Sequence, residues 1–97
     1  MVRRDSRVDA NQAEIVDALR AVGATVHLIR TVRKGCPDLL VGFRRETYLM
    51  ETKTEEGKLN DGQVEWHSNW EGRPVYVVRT IEHAWHIIGA DVEPQDG

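Results

Sequence analysis

Apolar residues recur at Ile15, Ala18, Leu19 and Val22 across residues 11–22, the i, i+3, i+4, i+7 stripe of a helix with one face on a core. Gly23 is the stop signal just past it. Residues 24–30, ATVHLIR, alternate weakly and predict a strand with Val26, Leu28 and Arg30 on one face and Thr25, His27 and Ile29 on the other. Two short apolar runs follow, residues 39–43 and 47–50, separated by Arg44, Arg45 and Glu46. Runs of that length joined by a short polar link read as a β-hairpin. After the polar stretch TEEGKLNDG, residues 61–70 predict a helix with Val64, His67 and Trp66 or Trp70 turned inward. Residues 73–78 follow a break at Gly72 and are apolar on both faces, as in a strand covered on both sides. Thr80 caps a last helix over residues 81–89, with Ile81, Ala84, Trp85 and Ile88 on one face. The predicted order is α-β-β-β-α-β-α, and its strand–helix–strand unit calls for a parallel, right-handed crossover. No repeat or low-complexity segment interrupts it.

Composition narrows the class. Ninety-seven residues make one domain with a small core. We expect that core over about residues 9–89, with a frayed acidic tail at 90–97. With 40% hydrophobic and 30% charged residues the chain is globular rather than disordered or membrane-spanning, and no apolar run approaches the ~20 residues of a transmembrane helix. The N-terminal MVRRDSRVD lacks the apolar segment of a secretory signal. The single cysteine, Cys36, excludes an internal disulfide and fits the expectation of a cytoplasmic protein. The net charge of −3 divides unevenly: residues 1–45 hold nine Lys/Arg against five Asp/Glu (+4), and residues 46–97 hold four against eleven (−7). Arg3, Arg4 and Arg7, with Arg30, Arg33, Lys34, Arg44 and Arg45 near the hairpin, are candidates for a basic stripe facing phosphates.

The hairpin also carries the candidate chemistry. A turn centred on Arg44 and Arg45 mirrors Asp38 onto Glu51, with Cβ atoms about 4.5–5.5 Å apart. Lys53 shares a face with Glu51, while Thr52 points away. Opposed carboxylates repel, and a divalent cation relieves them; Mg²⁺ is commonly held by one or two carboxylates plus water and phosphate oxygens. Lys53 beside it can contact a phosphate oxygen or stabilise developing negative charge. An isolated E-x-K is more often a surface ion pair, so the upstream Pro37-Asp38 is what gives the trio weight. Two other pairs have capping spacing: Asn11 with Glu14, and Asn60 with Gln63. His83 and His86 lack a third ligand and read as a surface pair. Cys36, with no Cys-His-Asn pattern around it, reads as a small buried thiol.

Pro37-Asp38 followed by Glu51-Thr52-Lys53 resembles the PD-(D/E)XK nuclease motif. The surrounding GCPDLLVGF, the ETK strand and Gln63 on a following helix resemble its VRR-NUC branch, the virus-type replication-repair nucleases. Upstream, DANQAEIVDALRAVGA resembles that branch's first helix, with Glu14 at its acidic position, so the likeness spans residues 9–89. It implies a restriction-endonuclease-like α/β fold, an αβββαβ core with a mixed sheet flanked by helices, plus a C-terminal helix. It further implies an endonuclease hydrolysing DNA with Mg²⁺ or Mn²⁺. Asp38, Glu51 and the backbone carbonyl of Thr52 hold the metal, Lys53 stabilises the transition state, and Glu14 and Gln63 assist. Stand-alone viral members resemble Holliday-junction resolvases, so the expectation extends to a homodimer acting on branched DNA in phage replication or repair. Trp66 and Trp70 are candidates for the dimer interface. Two other classes stand beside it: a nucleic-acid-binding module that does not cleave, against which the intact trio counts, and a restriction- or toxin-type nuclease, for which no segment is spare.

Overall fold

Arg44 and Arg45 form the two-residue turn of the hairpin, and both lie in the left-handed region at φ 48° and 70°. Positive φ at both central residues is what a type I′ turn requires, and its twist matches that of the flanking strands. In the computed structural model, which describes residues 6–91, this turn joins β2 (Leu39–Phe43) to β3 (Glu46–Thr52). Phe43 pairs with Glu46 and Leu39 with Met50, the mirrored register read from the sequence. Holding two arginines in that region costs of order 1–3 kcal/mol each. Replacing Arg44-Arg45 with Asn-Gly is therefore expected to raise Tm by about 4–8 °C for each kcal/mol recovered. A variant that melts at or below the wild-type temperature contradicts the strained turn.

The remaining elements are α1 (Ser6–Ala21), β1 (Thr25–Leu28), α2 (Asp61–Asn69), β4 (Tyr76–Val78) and α3 (Ile81–Ile88). The sheet runs β1-β2-β3-β4, antiparallel except for the parallel β3–β4 pair that α2 connects. This is the αβββαβ core with a mixed sheet and a further C-terminal helix. Ile15, Leu19, Leu39, Val41, Met50, Val78 and Ala84 are fully buried where α1 and α3 pack on one sheet face. α1 is stopped by the turn at Gly23 just beyond it, where the Ala24 amide donates back to the Leu19 carbonyl, and the Trp85 indole N–H satisfies the orphan carbonyl of Ala18 at 2.9 Å. Thr80 caps α3 by accepting from the His83 amide. Arg79 on the far side of β4 reaches the carbonyls of Thr54 and Gly57 at 2.7 and 2.6 Å, pinning the loop that follows β3.

Several expectations need correction. α1 begins at Ser6, well before residue 11, so Asn11 is inside the helix and does not cap it with Glu14. Leu28 is 53% exposed rather than sharing the core with Val26, because β1 is an edge strand with a neighbour on one side only. β4 spans three residues, not six, and at the other sheet edge only its Val78 is buried. α2 ends at Asn69 with Trp70 as its C-cap and has no buried residue: Val64 is 51% and Trp70 45% exposed. That helix lies over a polar site and does not contribute a core stripe. The tail starts later than expected, since Ala90 packs on the core and Asp91 lies 3.0 Å from exposed His86. Residues 92–97, and Arg3 and Arg4 at the other end, lie outside the described residues. No described helix is long and apolar enough to cross a membrane.

Candidate active site

The site grows from the open end of the hairpin, opposite the turn. Asp38 directly precedes β2 and is 8% exposed; its Oδ2 accepts from both the amide and the hydroxyl of Thr52, each at 2.9 Å. That double contact ties the carboxylate to the strand carrying Glu51. Glu51, 1% exposed, points to the other face, where Gln63 Nε2 donates to its Oε2 at 3.2 Å and His67 Nε2 lies 3.4 Å from its Oε1. Alternation along β3 thus sends Thr52 toward α1, where its hydroxyl also lies 3.0 Å from the Gln12 amide, and Glu51 toward α2. Asp38, at the strand end, meets both.

Gln63 has a double task. It closes the capping box of α2, accepting from the Asn60 amide at 3.0 Å while its own amide donates to the Asn60 side chain at 2.9 Å. Its side-chain Nε2, unused by the cap, donates to Glu51, so the two readings of Gln63 are compatible. α2 is seated by a close backbone approach at Gly35, whose φ is +84°; a Cβ there falls 2.5 Å from the Gly62 carbonyl oxygen. Only glycine fits at that point.

Two carboxyls this close and this buried cannot both ionise cheaply. Burial first, and then the hydrogen bond and charge of Asp38, push Glu51 up to about 9, with Lys53 pulling the other way. Burial and the Lys53 charge hold His67 below its ordinary value, so it lies beside Glu51 as a neutral imidazole. Cys36 is buried next door, and burial, Glu51 and Asp38 all raise its thiol. It is the small buried thiol expected from the sequence.

The donor set is two carboxylate groups, with no group of three or more His, Cys, Asp or Glu suited to a metal among the described residues. Two carboxyls that cannot both ionise without added positive charge, and oxygen-only donors, fit a hard cation that brings its own waters, Mg²⁺ or Mn²⁺, and do not fit a closed zinc site.

Of the other candidate residues, Lys53 is half-buried beside the acids, and its carbonyl accepts from Asn11 Nδ2 at 2.9 Å. Glu14 is exposed on α1 and shares a shallow groove with Asn11 and Thr54, adjoining the Lys53 end of β3. Arg30 and Lys34 line a recess with Asp38 and Gln63, and Arg33 with Lys34 lines the groove next to it. Arg44 and Arg45 stand apart at the turn, roughly 20 Å of strand from Glu51; Arg44 lies over the Phe43 ring at 4.8 Å. Sequence reading missed Gln12, the Thr52 hydroxyl and the His67 contact with Glu51. Only Thr52 carried a signal, since a residue between Glu51 and Lys53 must face the opposite helix.

No family model and no curated protein matches the sequence. Among solved structures, one described as a VRR_NUC domain superposes with a TM-score of 0.70 at 26% identity, covering 88% of this chain and 97% of that one.

Proposed function

The chain belongs to the VRR-NUC family, and from that premise we propose that it is a nuclease domain: a divalent-metal-dependent endonuclease that hydrolyses DNA phosphodiester bonds. The observation that carries the reading is the Asp38–Glu51 carboxyl pair at the open end of the hairpin, with Lys53 beside it. Asp38, Glu51 and the Thr52 carbonyl are the groups to hold Mg²⁺ or Mn²⁺, which when bound neutralises charge on the phosphate and acidifies a water. Thr52 holds Asp38, and Gln63 with His67 holds Glu51, so both carboxylates are oriented before substrate arrives. Lys53 places a positive charge where phosphorus gains negative charge as water adds and the bridging oxygen leaves with a proton. Glu14 remains a candidate assistant at the rim; full activity in Glu14→Gln removes it from the proposal.

The reading extends to a two-fold homodimer nicking opposed strands of branched DNA, in the manner of the viral resolvases the sequence resembles. The test is a panel of four-way junction, flap, linear duplex and single strand, cut at one fixed salt concentration with Mg²⁺, Mn²⁺ or EDTA. Metal-dependent cleavage lost in Asp38→Ala supports the nuclease. Paired symmetric nicks on the junction, with a dimer in sedimentation, support the resolvase reading. Equal cutting of junction and duplex, or a strictly monomeric species, defeats that extension.

A further inference from the structure

The aromatic load of α2 is not explained by folding. Trp66 and Trp70 stack on each other with ring centroids 4.9 Å apart and planes 14° from parallel. They do so on a helix that buries none of its residues, and Trp70 is left 45% exposed. The backbone of Gly72 lies against the Trp70 indole, where a Cβ would fall 2.6 Å from Nε1, so the outer ring is held in place. The indoles share a groove of about 740 Å³ with the exposed side chains of Arg33 and Lys34, which come from the loop before β2. Neither has an ion-pair partner among the described residues. The groove is continuous with the recess at Asp38 and Gln63, since Lys34, Asp61 and Gly62 line both.

We infer that this groove holds an unpaired nucleobase of the strand being cut, stacked against Trp66 and Trp70, with the flanking phosphates on Arg33 and Lys34. The inference rests on the nuclease reading for the identity of the ligand as nucleic acid. Flat indoles beside two uncommitted cations match the two parts of a single-stranded nucleotide, its π-face and its phosphate. A base within a duplex has both faces covered by its neighbours and offers none to an indole. Asp61 and Glu65 line the α2 side of the same groove. They keep phosphates toward the loop side and accept from N–H groups on the edge of the base, such as the N3–H of thymine. From Gln63 to Trp70 the helix advances about 10 Å, or about three base steps of a B-form strand. The bound base therefore sits a few nucleotides from the scissile phosphate.

Tryptophan fluorescence tests this in EDTA, where no cutting occurs, with an oligothymidylate of about a dozen nucleotides and a blunt duplex of equal length at one salt concentration. The oligothymidylate is expected to quench the wild-type protein. Trp70→Ala is expected to bind it about 5- to 150-fold more weakly, the span of a single base–aromatic stack, and Trp70→Phe to recover most of that loss. Duplex affinity should be the same in all three, and their circular dichroism should match. Trp70→Ala binding the single strand as tightly as wild type overturns the inference. So does an equal loss for single strand and duplex, or a change from dimer to monomer without loss of single-strand binding, which would give the indoles to a second copy of the chain. The nuclease reading fails separately: quenching by oligothymidylate from a protein that cuts nothing in Mg²⁺ or Mn²⁺ keeps the stacking site and removes the catalysis. Cleavage that is lost in Asp38→Ala while Trp70→Ala binds normally does the reverse.

Discussion

Replacing Glu51 with Gln is expected to abolish metal-dependent cleavage and yet make the metal-free protein more stable, by a margin that grows with pH. Glu51 is fully buried, and its neighbours are a second carboxyl, an amide and a neutral imidazole. In the unfolded chain its carboxyl titrates near 4.5; in the folded protein it titrates near 9. Between those values the folded state holds a proton that the unfolded state has released, so unfolding gains from rising pH. The contribution of Glu51 is whole below about pH 4.5 and is lost progressively as pH approaches 9. The gap corresponds to at most about 6 kcal/mol, a large share of what a domain this size possesses. Gln accepts the same hydrogen bond from Gln63 and carries no charge at any pH, so the variant lacks that slope. Urea melts at pH 5 and pH 8 in EDTA measure it. Adding Mg²⁺ or Mn²⁺ at pH 8 should restore the wild type and leave the variant unchanged, with proton uptake or release by the buffer as an independent readout. A wild type and variant whose stabilities change with pH in parallel, or a variant that cuts at the wild-type rate, contradict the assignment of Glu51.

Lys53→Met is expected to lose about 10²–10³ in cleavage rate while melting within about 1 kcal/mol of the wild type. The half-buried ammonium has only an ion pair's worth of stability to lose, about 0–1 kcal/mol. A preorganised cation facing developing charge contributes far more to rate. The substitution has a second effect with a definite sign. The Lys53 charge draws Glu51 down, so its removal strengthens the hold of Glu51 on its proton and shifts the metal requirement to higher concentration. Rates measured at saturating metal separate the two contributions. A variant that melts early and cuts normally marks Lys53 as a surface ion-pair residue and nothing more.

What the sequence made legible follows from how tightly local chemistry constrains the chain. A two-residue hairpin fixes register along its whole length, which is why Asp38 and Glu51 could be brought together from a turn six residues away. Side-chain caps act within three residues, so the Asn60–Gln63 box and the Thr80 cap could be read directly. The start of α1 could not, because Ser6 to Ala10 holds only Val8 and Ala10 as apolar residues, too few to mark a stripe. The outward face of α2 was hidden for the opposite reason: Val64, His67 and Trp70 recur every three residues, as on a core-facing helix. The tertiary placement of that helix over two carboxyls leaves Val64 and Trp70 exposed and gives His67 to Glu51. The pairing of His67 with Glu51, and of Gln12 with Thr52, depends on which helix covers which sheet face, and no local pattern encodes that.

Because α2 has no fully buried residue, it is the cheapest piece of the fold to open. Its attachments are the Gln63 and His67 contacts with Glu51 and the close fit of Gly62 on Gly35. The hairpin strands across from it carry Leu39, Val41 and Met50, all fully buried. Amide hydrogen exchange should therefore divide the protein: residues 64–69 exchanging through a local opening, residues 39–43 and 46–51 only on global unfolding. Uniform protection across both would contradict it. When the helix lifts, Glu51 is left facing water on a sheet that stays folded. The carboxylate most costly to bury in this protein is thus covered by the segment that comes away most readily.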